Sequence, residues 1–475
     1  MTSWAEFIAM VFGFYFLAAL VVQGMQLIVS VVAVRRDVDQ RAAGLVDDLS
    51  RAGVLPPLSI LLPAFNEEAD IIGSVESLLE CGYPTFEVVV VNDGSTDATL
   101  DVLTRHFDLR AVERMPRDGI ETQPVRGISR SRSHPEVFVV DKENGGKSDA
   151  LNAALNLARY PLFCSVDADS VLEPGALAKV AEPMVRNPST VAAGGIVRVV
   201  NGSTVRGGRV VDARAPHRIL AGVQVVEYLR AFLLGRAAWS QRGALLIVSG
   251  AFAMFRRAPV VESGGYSTET VGEDAELVTR LHHLAADRGE QARIVFVADP
   301  VCWTEVPDDL PSLRRQRIRW QQGLIQTLWA HRGILGRRRG GAAGTIGMPY
   351  FWLVEVLGPV IEIIAAPLVL VLLLTGQITL SLFLIVLLLA FIIGGFFSIA
   401  ALLVDQLIYR TYRHPEDVLR LVRDAILESV VLHQLLAVWR LEGTLRAFRH
   451  RRGWAPPARG GTVAGRLGEP GREPA

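Results

Sequence analysis

Long apolar runs at both ends of the chain constrain its fold more than any other feature. Phe7–Val34 is nearly all apolar, interrupted by Gln23 and Gln26, and exceeds the ~20 residues that span a bilayer. Met348–Leu374 and Ile378–Val404 repeat the pattern, separated by a short Thr-Gly-Gln turn. No basic residues precede the first run and no small-residue cleavage site follows it, so it reads as a membrane helix rather than a signal peptide. Arg35 and Arg36 follow the first run, Arg337–Arg339 precede the second, and Arg410 and Arg413 follow the third. Basic flanks stay on the cytoplasmic side, which places the N-terminus outside and the long middle of the chain inside. Ala425–Leu441 is apolar but carries Glu428, His433 and Gln434, and both an interfacial helix and a fourth span fit it.

The middle reads as soluble α/β. Apolar, β-rich runs at Leu58–Leu62, Glu87–Val91, Val137–Val140 and Leu162–Val166 alternate with helical patterns after Asn66, after Ser95 and from Lys147. That alternation predicts a mainly parallel sheet covered by helices. Asp108–Glu136, with six arginines among Gly, Pro and Ser, reads as an exposed loop or insertion. The expected organisation is an N-terminal transmembrane helix over 1–36, a catalytic domain over 37–340, membrane or interfacial helices over 341–446 and a disordered basic tail over 447–475. Formal net charge is zero, which gives no field to attract nucleic acid. Cys81, Cys164 and Cys302 are far apart, which argues against a disulfide framework or a zinc site. Only three of the 49 basic residues are lysines, and Lys142 and Lys147 flank one Gly-Gly pair.

Six motifs carry chemistry. Pro63-Ala64-Phe65-Asn66-Glu67-Glu68 follows the first strand, and Asn92-Asp93-Gly94-Ser95-Thr96-Asp97 ends the second. Ligands of open α/β sheets bind beyond the carboxyl ends of the strands, where Asp93 could accept from a base or ribose and Ser95 could cap a helix. Asp141-Lys142-Glu143-Asn144-Gly145-Gly146-Lys147 opens a helix and offers backbone N–H groups to an anion. Asp167-Ala168-Asp169 puts two carboxylates on one side of a strand end, suited to Mg²⁺ or Mn²⁺. Gly272-Glu273-Asp274 starts a helix, where a carboxylate can be a general base or merely a first-turn acid. Gln316, Arg319 and Trp320 share a helix face able to hold a diphosphate and stack on a sugar. His282 and His283 read as ordinary helix-face residues.

In this order, beside membrane spans, the six motifs resemble the processive family 2 glycosyltransferases, the cellulose, chitin, hyaluronan and poly-N-acetylglucosamine synthases. The resemblance covers about residues 57–325 and the flanking helices. Asn144–Asn152, Val226–Arg230 and Ser249–Phe252 resemble poly-β-1,6-N-acetylglucosamine synthase-like proteins most. The resemblance implies a GT-A fold, a UDP-sugar donor, inversion at the anomeric carbon and a growing polysaccharide as acceptor. It places Pro63, Asn66, Glu67, Asp93, Lys147, Asp167, Gln316, Arg319 and Trp320 on the donor. Asp167 and Asp169 would hold the metal, and Asp274 would be the base. Trp320, Glu273, Gly250 and Ala251 would meet the acceptor. Gly272 departs from the family, which often has Thr there. The implied location is a cell membrane, with lipid and an accessory membrane subunit as further partners.

Glu355 and Glu362 stand seven residues apart inside a predicted span, two turns of one helix face. Intramembrane carboxylates are costly and face protein or a wet cavity, so both are expected on a path for the emerging glycan. Two other functions share these features: a non-processive transferase acting on a lipid carrier, and an inactive membrane assembly or channel partner.

Overall fold

The computed structural model describes residues 4–42 and 53–449. Its centre is a ten-stranded sheet in the order β3 (Leu109–Ala111), β4 (Val125–Ser131), β5 (Val137–Lys142), β2 (Phe86–Asp93), β1 (Leu58–Ala64), β6 (Leu162–Val166), β11 (Phe252–Arg256), β8 (Thr190–Val199), β12 (Arg293–Thr304) and β7 (Ser170–Leu172), while β9 (Thr204–Arg206) and β10 (Arg209–Asp212) pair apart from it. The strands that frame the site are β1 (Leu58–Ala64), β2 (Phe86–Asp93), β5 (Val137–Lys142) and β6 (Leu162–Val166). All four are parallel, with β1 flanked by β2 and β6 and β2 by β5. Val88–Val91 and Ile60–Leu62 are fully buried, as expected of parallel strands covered on both faces. The rest of the sheet is mixed. β11 (Phe252–Arg256) runs antiparallel to β6 and to β8 (Thr190–Val199), and β12 (Arg293–Thr304) is parallel to β8.

The arginine-rich segment after Asp108 is not a loose insertion. It contains β3 (Leu109–Ala111) and β4 (Val125–Ser131), which pair antiparallel and extend the sheet beyond β5. One of its arginines is part of the core: Arg114 forms a buried pair with Glu87 at 2.7 Å and lies 4.0 Å above the Phe138 ring, while the other five are exposed. A parallel edge strand left bare would expose its ladder, and this hairpin closes it.

Three helices among the described residues are long and apolar enough to cross a membrane: Trp4–Val38, Ala343–Leu374 and Leu380–Ile408. The first lies within helix α1 (Trp4–Ala42). The ambiguous C-terminal stretch is not among them. It is helical from Pro415 to Phe448 through a π-turn at Glu428–Leu432, and it buries Asp417, Asp424 and Glu428 against the rest of the protein. Ion pairs fasten it and the spans to the sheet domain. Arg198 meets Asp405 at 2.7 Å, Arg214 meets Asp417 at 2.7 Å, and Arg230 meets Glu428 at 2.7 Å. Of the tail expected from residue 447, residues 447 and 448 end this last helix, and 450–475 lie outside the described residues.

Candidate active site

In-register pairing of β1, β2 and β5 brings Ala64, Asn92–Asp93 and Asp141–Lys142 to one edge of the sheet. There the first two motifs lock together. Asn66 adopts a left-handed backbone (φ 55), its side chain accepts from Thr96 N at 2.8 Å, and its own N–H donates to Ser95 Oγ at 3.0 Å. Ser95 therefore caps no helix. Asn66 itself does not reach the cavity, whereas Pro63 and Glu67 line it.

The glycine pair binds an anion, and that anion belongs to the protein. Asp93 accepts from Gly145 N at 3.0 Å and from Gly146 N at 2.7 Å. Lys142, fully buried, reaches Asp93 at 2.6 Å and Asp149 at 2.5 Å. A buried charge needs such partners, which explains one of the two lysines: it sets the loop from which helix α2 (Lys147–Leu157) begins. Gly94 allows the loop to pass close, for a Cβ there would lie 2.7 Å from Asn144 N. Asp93 keeps only its edge toward the cavity.

The other lysine points outward to the acids. Lys147 Nζ is 2.6 Å from Asp167 and 3.4 Å from Glu273. Those carboxylates raise its pKa above the ordinary lysine range, against the lowering effect of burial. β6 stops at Val166, so Asp167 and Asp169 lie in the turn into β7 (Ser170–Leu172) and not on an alternating strand. Both line the cavity. Asp169 is buried and accepts from Ser170 Oγ at 3.3 Å. Ser74 Oγ anchors the turn at the Ala168 carbonyl.

Asp274 lies in the first turn of helix α3 (Glu273–Asp287). Its two oxygens accept from Gly250 N at 2.9 Å and Ala275 N at 2.8 Å. Burial, followed by the neighbouring Glu273, pushes its pKa up to about 6. A carboxyl tuned there can exchange a proton near neutrality. Gly250 thus aims this acid, and Ala251 lines the cavity beside it. The Thr-to-Gly departure has a steric reason. A Cβ at Gly272 would lie 3.1 Å from Gly323 Cα, and one at Gly323 would lie 2.8 Å from Gly272 N. Gly323 belongs to helix α4 (Leu310–Ala330), which carries the last motif.

On α4, Gln316, Arg319 and Trp320 all line the cavity, with Trp320 41% exposed. The intervening Arg317 turns inward to Glu227 at 2.6 Å and lies 4.6 Å from the Trp320 ring. Sequence reasoning assigns Arg317 and Arg236 no role, only the number of arginines hinting at them, and Tyr228 enters only through the resemblance of Val226–Arg230. His282 is buried, with Leu245 O 3.0 Å from its ring nitrogen, and burial lowers its pKa to about 4. It is a core residue of its helix, where the sequence suggests an ordinary helix-face position. The three cysteines are free and buried.

The cavity, about 810 Å³, continues from these acids to Glu355, Glu362, His433 and Arg440. Each acid is paired: Glu355 with Arg440 at 2.8 Å and Glu362 with His433 at 2.9 Å.

An α/β sheet whose carboxyl edge gathers paired acids, a cationic helix start and a tuned carboxyl defines a GT-A glycosyltransferase. Residues 59–263 match glycosyl transferase family 2 and residues 162–399, half of the chain, match glycosyl transferase family group 2, so this chain belongs to the family 2 glycosyltransferases. Poly-β-1,6-N-acetyl-D-glucosamine synthase of Staphylococcus epidermidis is 26% identical over 276 residues, which are 57% of this chain and 56% of that protein. The Staphylococcus aureus protein of the same name is 28% identical over 271 residues, 57% of this chain and 55% of that one. The match therefore spans little more than half the length of these relatives. A mannosyltransferase from Pyrobaculum calidifontis, solved with GDP-Man and Mn²⁺, superposes with a TM-score of 0.54 at 18% identity, covering 93% of this chain and all of its own. It shares the fold.

Proposed function

We propose that this membrane glycosyltransferase moves a sugar from a UDP-sugar, UDP-N-acetylglucosamine or UDP-glucose, onto a growing polysaccharide at the cytoplasmic face and passes the product into the membrane. The observation that carries this reading is the single cavity running from Asp167, Asp169 and Asp274 to Glu355 and Glu362. A transferase that releases a small product has no use for such a passage, whereas a polymer has hydroxyls that need partners at membrane depth. The names of the staphylococcal relatives point to the same chemistry.

In this reading Pro63, Glu67, Asp93 and Lys147 border the donor, with Asn66 holding their loops from behind. Asp167 and Asp169 suit a hard divalent cation, Mg²⁺ or Mn²⁺. The same potential draws the Lys147 ammonium onto Asp167. Among the described residues no three His, Cys, Asp or Glu cluster as a metal cage, so donor oxygens would complete the shell. Bound there, the cation would neutralise diphosphate charge. Arg319 and Lys147 offset charge on the departing UDP. Asp274, held by Gly250 and Ala275, takes the proton as the acceptor hydroxyl attacks the anomeric carbon and the bond to UDP breaks. Trp320 stacks on the acceptor sugar, with Glu273 and Ala251 beside it.

Nucleotide release with each candidate UDP-sugar, together with product sizing, tests the proposal. Long products from one donor support it. A single added sugar on a lipid, or no release from any donor, overturns it.

A further inference from the structure

The helix Ile219–Leu229 widens into a π-turn over Arg230–Arg236 before resuming at Ala237–Gln241. Such turns are rare and concentrate at functional sites. This one carries two arginines in opposite circumstances. Arg230 is satisfied, donating to Glu428, to Ser398 Oγ at 2.6 Å and to the Gly394 carbonyl at 3.0 Å. Arg236 is not. Its Nε and Nη1 are buried and, among the described residues, have no hydrogen-bond partner. Its guanidinium is held 3.8 Å above the Phe232 ring, and Phe232 is itself packed 6.0 Å from Phe296. Burial lowers its pKa to about 10, while the Asp274 carboxylate and Tyr228 favour the charged form.

A buried donor without a partner is costly, and in a native site it calls for an explanation. Position supplies one. Arg236 lines the catalytic cavity. Of the cations assigned to the donor, Lys147 is already engaged with Asp167 and Glu273. Arg236 lines the same cavity as Asp274 and Tyr228, within electrostatic reach of both, and the Tyr228 ring is 6.3 Å from Trp320. Asp274 takes its hydrogen bonds from Gly250 and Ala275, which leaves the guanidinium donors available.

We infer that Arg236 is an acceptor-binding residue: its guanidinium donates to oxygens of the glycan's terminal sugar and fixes the reacting hydroxyl against Asp274. This rests on the synthase reading above. The test uses the full chain in lipid nanodiscs, with nucleotide release followed against added N-acetylglucosamine and glucose oligomers. Arg236→Met keeps the stem over Phe232 and removes the donors, and Arg236→Lys keeps the charge without the planar pair of N–H groups. Both variants should raise the KM for the oligomer by about tenfold or more, with UDP affinity unchanged. The melting temperature of Arg236→Met should stay level or rise, because an unpaired buried charge has been removed. An unchanged oligomer KM, or a loss confined to UDP affinity, overturns the inference. A lower melting temperature with unchanged KM assigns Arg236 to structure instead. If wild-type enzyme responds to no oligomer, the synthase reading fails and takes this inference with it. If wild type responds and the variants match it, only this inference fails.

Discussion

At the scale of single residues, the site is a set of carboxylates in different environments. Asp274 has two backbone donors and a pKa pushed up to about 6 by burial and Glu273. A base works only when ionised, and a raised carboxyl pKa means the proton is held to higher pH. The transfer rate should therefore fall as pH drops through about 6, approaching tenfold per unit below it. Asp274→Asn should lower turnover by at least ~100-fold with UDP binding largely intact; near wild-type turnover would remove Asp274 from the mechanism. Asp169→Ala removes one of two oxygen donors and should raise the Mn²⁺ concentration needed for half activity. An unchanged metal titration would reduce Asp167-Ala168-Asp169 to a turn. Trp320 is 41% exposed and backed by Arg317, so Trp320→Ala should impair elongation while sparing UDP affinity. Polymer length and UDP binding measured on the same sample separate the two.

Between elements, the decisive contact is the crossing of the Gly272 loop over α4. Both positions are glycine, and each backbone occupies the space a neighbouring Cβ would need. Overpacking of this kind costs about 1–3 kcal/mol, and here the strain would fall on Glu273 and Asp274. Gly323→Ala should lower the melting temperature and reduce turnover together. A variant with both values unchanged would show that the crossing is slack. The pairing bears on a local oddity that the motif alone left open: Thr at position 272 would crowd the backbone of this α4. The Lys142–Asp93–Asp149 cluster acts at the same scale, using one scarce lysine to fix a loop and leaving the other to face the acids.

For the whole molecule, the question is what the cavity does at membrane depth. Glu355 and Glu362 line it and are paired to Arg440 and His433. Pairing makes the carboxylates tolerable in the membrane and does not remove them from the wall. Glu362→Leu should reduce polymer appearing across the membrane more than single-turnover nucleotide release, in protein shown to insert normally. If export and transfer are both unaffected, this face is not the path.

The class of protein is legible in the order of the amino acids alone. Runs of apolar residues longer than a bilayer, a β-α alternation and six ordered motifs are local signals, and local signals survive in one dimension. That order also located the acids Asp167, Asp169, Glu273 and Asp274 and the α4 motif, because a strand end or helix start shows in the residues beside it. Which charges meet is settled by the folded chain. That Asp93 is the anion held by the glycine pair, that Arg317 turns inward to Glu227, and that Asp108–Glu136 closes a sheet edge all depend on residues distant in sequence. Arg236 was invisible for the same reason. In an arginine-rich chain one more arginine carries no signal, and what marks it is a guanidinium with unpartnered nitrogens in the wall of the catalytic cavity, a property of the packing around it.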